Sequence, residues 1–130
     1  MKKELKILGL SYSQSQVGSY TLVLSNEEEN LRIPLIIKEP QANRIISEIN
    51  NIKPSRSSIY DVFKTTTENY QIDVKEVYIH QLLEGIFYSK ITVDNGLGDI
   101  DIEATAGEAL TLASIYKCVI YVDSEIIDVV

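Results

Sequence analysis

Three carboxylates alternate along one predicted strand in the second half of the chain. Within residues 97–104, Asp99, Asp101 and Glu103 occupy every second position. Because successive side chains of a strand point to opposite faces, these three would share one face. Such a face can hold a hard cation such as Mg²⁺ or Mn²⁺ if a further ligand converges on it. The alternative is an outer strand face covered only by solvent, and the strand pattern by itself favours that alternative.

Glu108 is a second candidate, at the start of a predicted helix. Thr105 and Glu108 have the Thr-x-x-Glu spacing of a capping box. At a helix N-terminus the carboxylate could bind a metal ion or orient a water molecule. In a capping box, however, the Glu accepts a hydrogen bond from the backbone N–H of the cap residue. Capping is therefore the favoured role for Glu108.

Arg56 and Asp61 flank the start of another predicted helix, which Ser58 would cap. A guanidinium can hold a phosphate through two parallel hydrogen bonds, and a helix N-terminus offers backbone donors to an anion. Asp61 could be a metal ligand or a base. It is also three residues after Ser58, so a capping-box role explains it as well, and the structural role is the favoured one for such an isolated pair.

The chain has one histidine, His80, and one cysteine, Cys118. His80 is predicted on a strand, where a lone histidine is more often packed or hydrogen-bonded than a general base. Cys118 lies between a predicted helix and an apolar strand, so we expect a buried, inert thiol. A single cysteine permits no disulfide within the chain and fits a reducing compartment, which predicts a cytoplasmic protein.

Hydrophobic periodicity predicts the elements that must position these residues. Apolar or alternating runs predict strands at residues 6–12, 19–25, 31–37, 74–83, 86–93, 97–104 and 119–122. Pro34 lacks an N–H donor, which predicts an edge position for its strand. Helical spacing predicts three helices, with apolar sides formed by Ala42, Ile45, Ile46 and Ile49, by Ile59, Val62 and Phe63, and by Ala109, Leu112, Ala113 and Tyr116. A short turn is predicted from Ser124.

Length and charge limit the possible functions. The 130 residues suit one domain, residues 1–130, and no apolar run approaches the roughly 18 residues of a membrane span. The net charge of −7 argues against broad electrostatic binding of nucleic acid. Residues 1–64 carry nine Lys or Arg and seven Asp or Glu, whereas residues 65–130 carry three Lys and twelve Asp or Glu. The favoured interpretation is an acidic surface that keeps the protein soluble. On the alternative that a phosphate binds there, the second half would need a bound divalent cation before the phosphate could approach it.

The two halves align at an offset of 67 residues. Gly18 falls on Gly85, residues 33–37 fall on residues 100–104, and Ala42 falls on Ala109. Strands and helix coincide in order and phase, although few residues are identical. The offset predicts an internal duplication of three strands followed by a helix, with coincidence as the alternative.

An ordered series of segments resembles the bifunctional nuclease domain family, a bacterial and plant domain. The series consists of Arg32-Ile33-Pro34-Leu35-Ile36-Ile37, the helix with Ala42, Arg56 and Asp61 before a helix, Val77-Tyr78-Ile79, Gly85-Ile86-Phe87-Tyr88-Ser89-Lys90, and Ile100-Asp101-Ile102-Glu103-Ala104 followed by Glu108-Ala109. The resemblance covers nearly the whole chain. It implies an α+β fold, a single domain with a barrel-like mixed β-sheet made of two related β-β-β-α halves, with helices packed outside. It also implies a homo-oligomer, most simply a dimer, and activity on DNA or RNA.

The chain departs from the family's two signature segments. In Arg-Pro-Leu-Thr-His-Asp-Leu, the Arg and Asp match Arg56 and Asp61, but Tyr60 stands in place of the His. In Asp-Ala-Arg-Pro-Ser-Asp-Ala, the two acids match Glu103 and Glu108, and Thr105 stands in place of the Arg. Phosphodiester hydrolysis needs an activated water and cations that stabilise developing charge, so these losses predict a weak or lost activity.

Two hypotheses follow, together with a weaker third, a small-molecule-binding domain for which the sequence offers no ligand. The first is a nuclease assisted by Mg²⁺ or Mn²⁺, in which Arg56, Asp61, Glu103 and Glu108 are catalytic and Asp61, Glu103, Glu108 and Asp101 hold the metal. It predicts that Asp61, Glu103 and Glu108 converge on one cleft, with Arg56 at its rim. The second is a non-catalytic oligomeric binding or assembly module in which these acids only cap helices and cover solvent-exposed surface.

Overall fold

Seven strands and four helices form the described part of the chain, residues 1–12, 17–54 and 56–129 of a computed structural model. The elements are β1 (Lys2–Tyr12), β2 (Ser19–Ser25), β3 (Arg32–Lys38), α1 (Glu39–Ile49), α2 (Ile59–Asn69), β4 (Asp73–Leu83), β5 (Ile86–Asp94), β6 (Asp99–Thr105), α3 (Ala106–Tyr116), β7 (Val119–Asp123) and α4 (Ser124–Val129). The predicted strands and helices are all present. The turn predicted from Ser124 is the short helix α4.

The strands form one mixed sheet in the order β3-β2-β1-β7-β4-β5-β6, curled into a half-barrel. Neighbouring strands are antiparallel except for the parallel pair β4 and β7. β3 lies at one edge, as Pro34 predicted, and β6 lies at the other. β1 begins at Lys2 rather than at residue 6, because residues 2–5 pair with β7. That pairing involves a strand more than 100 residues away and could not be read from the local pattern.

The core lies between one face of the sheet and the helices α1 and α3. Every second residue of β3 is buried, namely Ile33, Leu35 and Ile37. From the helices, Ala42 and Ile45 of α1 and Leu110 of α3 are fully buried against this face. The sheet therefore separates a core face from an outer face that carries most of the charged side chains.

Helix α2 packs differently from the pattern predicted for it. Of its predicted apolar side, only Phe63 packs against the core, edge to face with Tyr116. Ile59 is 72% exposed and Val62 is 56% exposed. An apolar period identifies a face but does not say whether another element covers it, and none of the residues that the structure describes covers this end of α2.

The internal duplication is visible in the element boundaries. Adding 67 to the bounds of β3 and α1 gives the bounds of β6 and α3. The two halves lie on either side of β7, so that β3-β2-β1 mirrors β6-β5-β4. The two related β-β-β-α halves are thus confirmed. Among the described residues, no helix combines the length and apolar character needed to cross a membrane.

Candidate functional site

The alternation predicted for β6 is confirmed by its pairing with β5. In that ladder Asp99, Asp101 and Glu103 lie opposite Asp94, Thr92 and Lys90, all on the outer face. The two leading acids already have partners. Lys75 Nζ donates to the Asp99 carboxylate at 3.0 and 3.2 Å. Thr92 Oγ1 donates to Asp101 Oδ1 at 2.7 Å. Glu103 is exposed and forms no hydrogen bond or ion pair with a described residue.

Glu108 closes the predicted capping box at the start of α3. Its Oε1 accepts from the backbone N–H of Thr105 at 3.1 Å and from the Thr105 hydroxyl at 2.9 Å. The Glu108 N–H donates in return to Thr105 Oγ1 at 3.4 Å. The capping role is therefore confirmed. It uses one carboxylate oxygen, while Oε2 has no hydrogen-bonding partner among the described residues.

Glu103 and Glu108 line one cavity of about 470 Å³ at the end of β6. Thr105, Gln81, Tyr88 and His80 complete most of its wall. The cavity forms where β6 runs directly into α3, so that the strand contributes one acid and the first helical turn contributes the other. These are the two acids that match the family's second signature segment. We call this space the acidic cavity.

His80 belongs to the acidic cavity, and the sequence did not predict this. The pairing of β4 with β5 shifts between Ile79 and Gln81, which leaves His80 as the extra residue of a β-bulge. A bulge changes the direction in which a strand side chain points, and bulges are frequent beside active sites. The His80 ring lies 6.1 Å from the Tyr78 ring, centroid to centroid. The one sequence feature that could have indicated a role for His80 is that it is the sole histidine of the chain.

Asp61 lies in a different environment. Arg44 of α1 forms a bidentate ion pair with it, with Nη1 to Oδ2 at 3.0 Å and Nη2 to Oδ1 at 2.9 Å. Oδ2 also accepts from the backbone N–H of Ser58 at 2.8 Å, which confirms the predicted capping box. The hydrogen bonds from Arg44 lower the pKa of Asp61 to about 2, against the opposing effect of burial. Both oxygens of Asp61 are thus engaged by the protein itself.

Arg56 lines a second cavity, of about 320 Å³, between α1 and the segment that leads into α2. Arg44, Asn43, Ser58 and Tyr60 also line it. None of its lining residues belongs to the acidic cavity. We call it the arginine cavity. The two signature segments therefore contribute to two separate cavities.

The predicted convergence of Asp61, Glu103 and Glu108 does not occur within one chain. The described residues contain no group of three or more His, Cys, Asp or Glu side chains that could hold a metal ion. Asp61 is instead paired with Arg44, a residue that lines the arginine cavity. What remains is the pair Glu103 and Glu108. Two carboxylates do not form an all-protein cage, but they fit Mg²⁺ or Mn²⁺, which commonly keep water and substrate phosphate oxygens as further ligands.

Cys118 is half-buried next to the last strand. Burial raises the pKa of its thiol to about 11. The expected inert thiol is consistent with this environment, because only the thiolate is an effective nucleophile.

The fold and the placement of the signature acids define an α+β domain with a duplicated half-barrel and an acidic cavity at the second strand-to-helix junction. The model of the bifunctional nuclease domain matches residues 22–130, so the chain belongs to the bifunctional nuclease domain family. A rice protein named bifunctional nuclease 1 (Oryza sativa subsp. indica) is 26% identical over 103 residues, which cover 76% of this chain and 30% of the rice protein. The bifunctional nuclease of Oryza minuta matches to the same extent.

The match to a bacterial relative covers a larger share of that relative's length. An uncharacterized protein of Mycobacterium tuberculosis (strain H37Rv) is 24% identical over 124 residues, which are 95% of this chain and 73% of that protein. In contrast, the chain spans less than a third of the length of the plant relatives.

Proposed function

We propose that this protein is a nuclease that hydrolyses phosphodiester bonds of DNA or RNA with the help of Mg²⁺ or Mn²⁺, and that the acidic cavity is its reaction site. The observation that carries the proposal is that Glu103 and Glu108, the acids of the second signature segment, line one cavity together with the chain's only histidine. The relatives named as bifunctional nucleases support the same reaction class.

In this proposal each side chain has a distinct task. Glu103 and the unengaged Oε2 of Glu108 would hold the cation. When bound, the cation neutralises charge on the phosphodiester and makes a coordinated water more acidic. His80 is the candidate to move a proton between water and the leaving oxygen, because its imidazole lines the same cavity as the two acids. His80 would thus supply an imidazole, which the chain lacks in the first signature segment because Tyr60 stands in place of the His.

We assign Asp101 and Asp61 smaller roles in metal binding than the sequence-based hypothesis gave them. Asp101 already accepts a hydrogen bond from Thr92, and both oxygens of Asp61 are bound by Arg44 and Ser58. We therefore assign Asp61 a positioning task, in which it fixes the start of α2 beside Arg56. Weak activity is expected, since loss of one electrostatic stabiliser costs on the order of 10²–10³ in rate.

Cleavage of single-stranded and duplex DNA and RNA in Mg²⁺, in Mn²⁺ and in a chelator tests the proposal. Cleavage should require the cation and fall about 100-fold in Glu103→Gln and in His80→Gln. Asp99→Asn is the matched control, because it removes a carboxylate from the same face of β6 outside the cavity. Equal loss in Asp99→Asn, or full cleavage in Glu103→Gln, would refute this assignment of the site.

A specific observation also favours the second candidate, a non-catalytic binding or assembly module. That hypothesis predicted capping geometry for Asp61 and Glu108, and both capping boxes are present. It further predicts no affinity for Mg²⁺ or Mn²⁺. Calorimetric titration of the wild-type protein and Glu103→Gln with Mn²⁺ separates the two candidates, because only the nuclease proposal expects heat that the variant loses.

We also propose a homodimer, in a cytoplasmic setting. The exposed Ile59 and Val62 of α2 form an apolar surface that a second copy could cover. Sedimentation equilibrium of the wild-type protein and of Val62→Glu tests this. A monomeric wild-type protein at micromolar concentration would contradict the dimer, and a dimer unaffected by Val62→Glu would place its interface elsewhere.

A further inference from the structure

We propose that the arginine cavity is a phosphate-binding subsite that holds one phosphate ester of a nucleotide, separate from the acidic cavity where hydrolysis would occur. The proposal deepens the proposed function, on which its role in cleavage rests. The binding itself needs no divalent cation and is tested without one.

The arginine cavity carries positive charge. The residues that line it include two arginines and no Asp or Glu. Arg44 is 92% buried and its Nη atoms bind Asp61, so its charge is largely compensated and it forms part of the wall. Arg56 is exposed and forms no hydrogen bond or ion pair with any residue that the structure describes. The available cation of this cavity is therefore Arg56.

The arginine cavity also offers hydrogen-bond donors that no described residue occupies. Among the described residues, the side-chain amide of Asn43 and the hydroxyl of Tyr60 have no hydrogen-bond partner, and both residues line the cavity beside Arg56. In contrast, Ser58 already caps α2: its Oγ accepts from the Tyr60 N–H at 3.2 Å. The unengaged groups are thus a guanidinium, an amide and a phenol. This set suits an anion with several acceptor oxygens, and a guanidinium binds phosphate in a bidentate manner.

The size and the wall of the arginine cavity suit a nucleotide. A volume of about 320 Å³ lies at the lower end of the range for small-ligand sites and exceeds what one phosphate group fills. Pro40 and Pro54 provide apolar wall, and the Tyr60 ring offers an aromatic surface. Bases stack on such rings with little regard to sequence. The ligand class that matches is therefore a nucleotide, with the phosphate at Arg56 and the sugar or base toward Tyr60.

The arginine cavity and the acidic cavity are joined by the contact between α1 and α3. Pro40 lines the arginine cavity, and the side chain of the next residue, Gln41, lies against Gly107, which precedes Glu108 of the acidic cavity. A strand anchored at Arg56 would then be cut at a phosphodiester other than the one that the arginine cavity holds.

Titration followed by ¹H–¹⁵N NMR, in EDTA, tests the subsite with three probes: inorganic phosphate, adenosine 5′-monophosphate and adenosine. We expect the monophosphate to bind with a dissociation constant of about 1 mM, phosphate more weakly and adenosine weakest. Arg56→Gln should weaken binding of the monophosphate about tenfold. Arg32→Gln, which removes an exposed arginine from the edge strand β3, should leave it unchanged. Asn43→Asp, which adds a negative charge to the cavity wall, should also weaken it.

Binding that is equal in Arg56→Gln and the wild type would overturn the proposal, as would adenosine binding as well as its monophosphate. Failure of the nuclease is distinguishable from failure of the subsite. Monophosphate binding that depends on Arg56 in a protein without cleavage activity would support the subsite and refute the nuclease. Cleavage with a KM unaffected by Arg56→Gln would refute the subsite and leave the nuclease standing.

Discussion

Arg44 of α1 and Asp61 of α2 form a bidentate ion pair at 2.9 and 3.0 Å, with Arg44 8% exposed and Asp61 28% exposed. This pair connects two helices that otherwise share little packing. It also gives Asp61 a structural role. A carboxylate whose two oxygens accept bonds from a guanidinium and from the start of its own helix has little capacity left to bind a metal ion or a proton.

The first prediction is that Arg44→Met destabilises the protein by about 2 kcal/mol, because breaking a buried pair by removing one partner leaves the other charge uncompensated. The partial exposure of Asp61 keeps the cost below that of a fully buried pair. Urea unfolding measures it. Lys64→Met, which removes a cation from α2 without a partner among the described residues, should change stability by less than about 0.5 kcal/mol.

The same pair has a defined pH dependence. The folded pKa of Asp61, about 2, lies below the ordinary value of 3.8, so the unfolded chain binds the proton more readily. The stability from the pair is therefore complete above pH 4 and lost as pH falls through 2. The difference in unfolding free energy between wild type and Arg44→Met should shrink over that interval. A difference that stays constant from pH 6 to pH 2 would contradict this assignment.

Much of the fold could be predicted from the sequence because it depends on local patterns. The structure confirms three such predictions: every second residue of β3 is buried, the strand with Pro34 lies at an edge of the sheet, and the two halves align at an offset of 67 residues. The capping boxes at Ser58 and Thr105 are also local, since their partners are three residues away. Patterns of this kind involve physical interactions within one turn of helix or one strand.

The candidate site could be predicted only in part, because it depends on contacts between distant residues. Arg44 and Asp61 are 17 residues apart and on different helices, and no local pattern pairs them. His80 enters the acidic cavity through a bulge that depends on the register with β5. The placement of the two signature acids together was predictable because β6 runs directly into α3.

A second prediction concerns Gly107, at the start of α3. A Cβ at this position would overlap Oε1 of Gln41, which accepts from the backbone N–H of Lys38 at 3.1 Å. Gly107→Ala should therefore displace the Gln41 side chain and break its bond to Lys38, a cost of about 1 kcal/mol that offsets the helix propensity gained with Ala. In a Gln41→Ala background the same substitution should be neutral or stabilising, because Ala favours helix over Gly by up to about 1 kcal/mol. Equal effects of Gly107→Ala in both backgrounds, measured by urea unfolding, would exclude the contact.

A third prediction concerns Tyr78 on the outer face of the sheet. Its hydroxyl donates to Asp123 Oδ2 at 2.6 Å, and this bond, with burial, raises the pKa of Tyr78 to about 12. Absorbance titration should show a tyrosine that ionises well above pH 10 and disappears in Tyr78→Phe. Because the folded pKa is raised, the stability that the bond contributes is present below pH 10 and lost as pH rises through 12. Tyr78→Phe should cost about 1 kcal/mol at pH 7, whereas Tyr70→Phe, at an exposed position, should cost nothing measurable.

A fourth prediction concerns Cys118, whose thiol pKa is raised to about 11 from an ordinary 9.0, chiefly by burial. A shift of this size reduces the thiolate population at pH 8 about 100-fold. Iodoacetamide should therefore alkylate the native protein about 100-fold more slowly than the unfolded chain in urea. Equal rates in the two states would show that the thiol is neither shielded nor shifted.

The last prediction separates the two roles available to Glu108. Gln at the third position of a capping box can still accept the bond from the Thr105 N–H, so Glu108→Gln should keep stability within about 0.5 kcal/mol of wild type. Glu108→Ala removes the cap partner and should cost about 1 kcal/mol.

If Glu108 also binds a cation, Glu108→Gln should lose Mn²⁺ affinity and cleavage despite its intact fold, because an amide is a poorer ligand for a hard cation than a carboxylate. If Glu108 acts only as a cap, activity should follow stability, so that Glu108→Gln behaves as wild type and only Glu108→Ala is impaired. Unfolding and Mn²⁺ titration of both variants therefore distinguish a site residue from a capping residue at the same position.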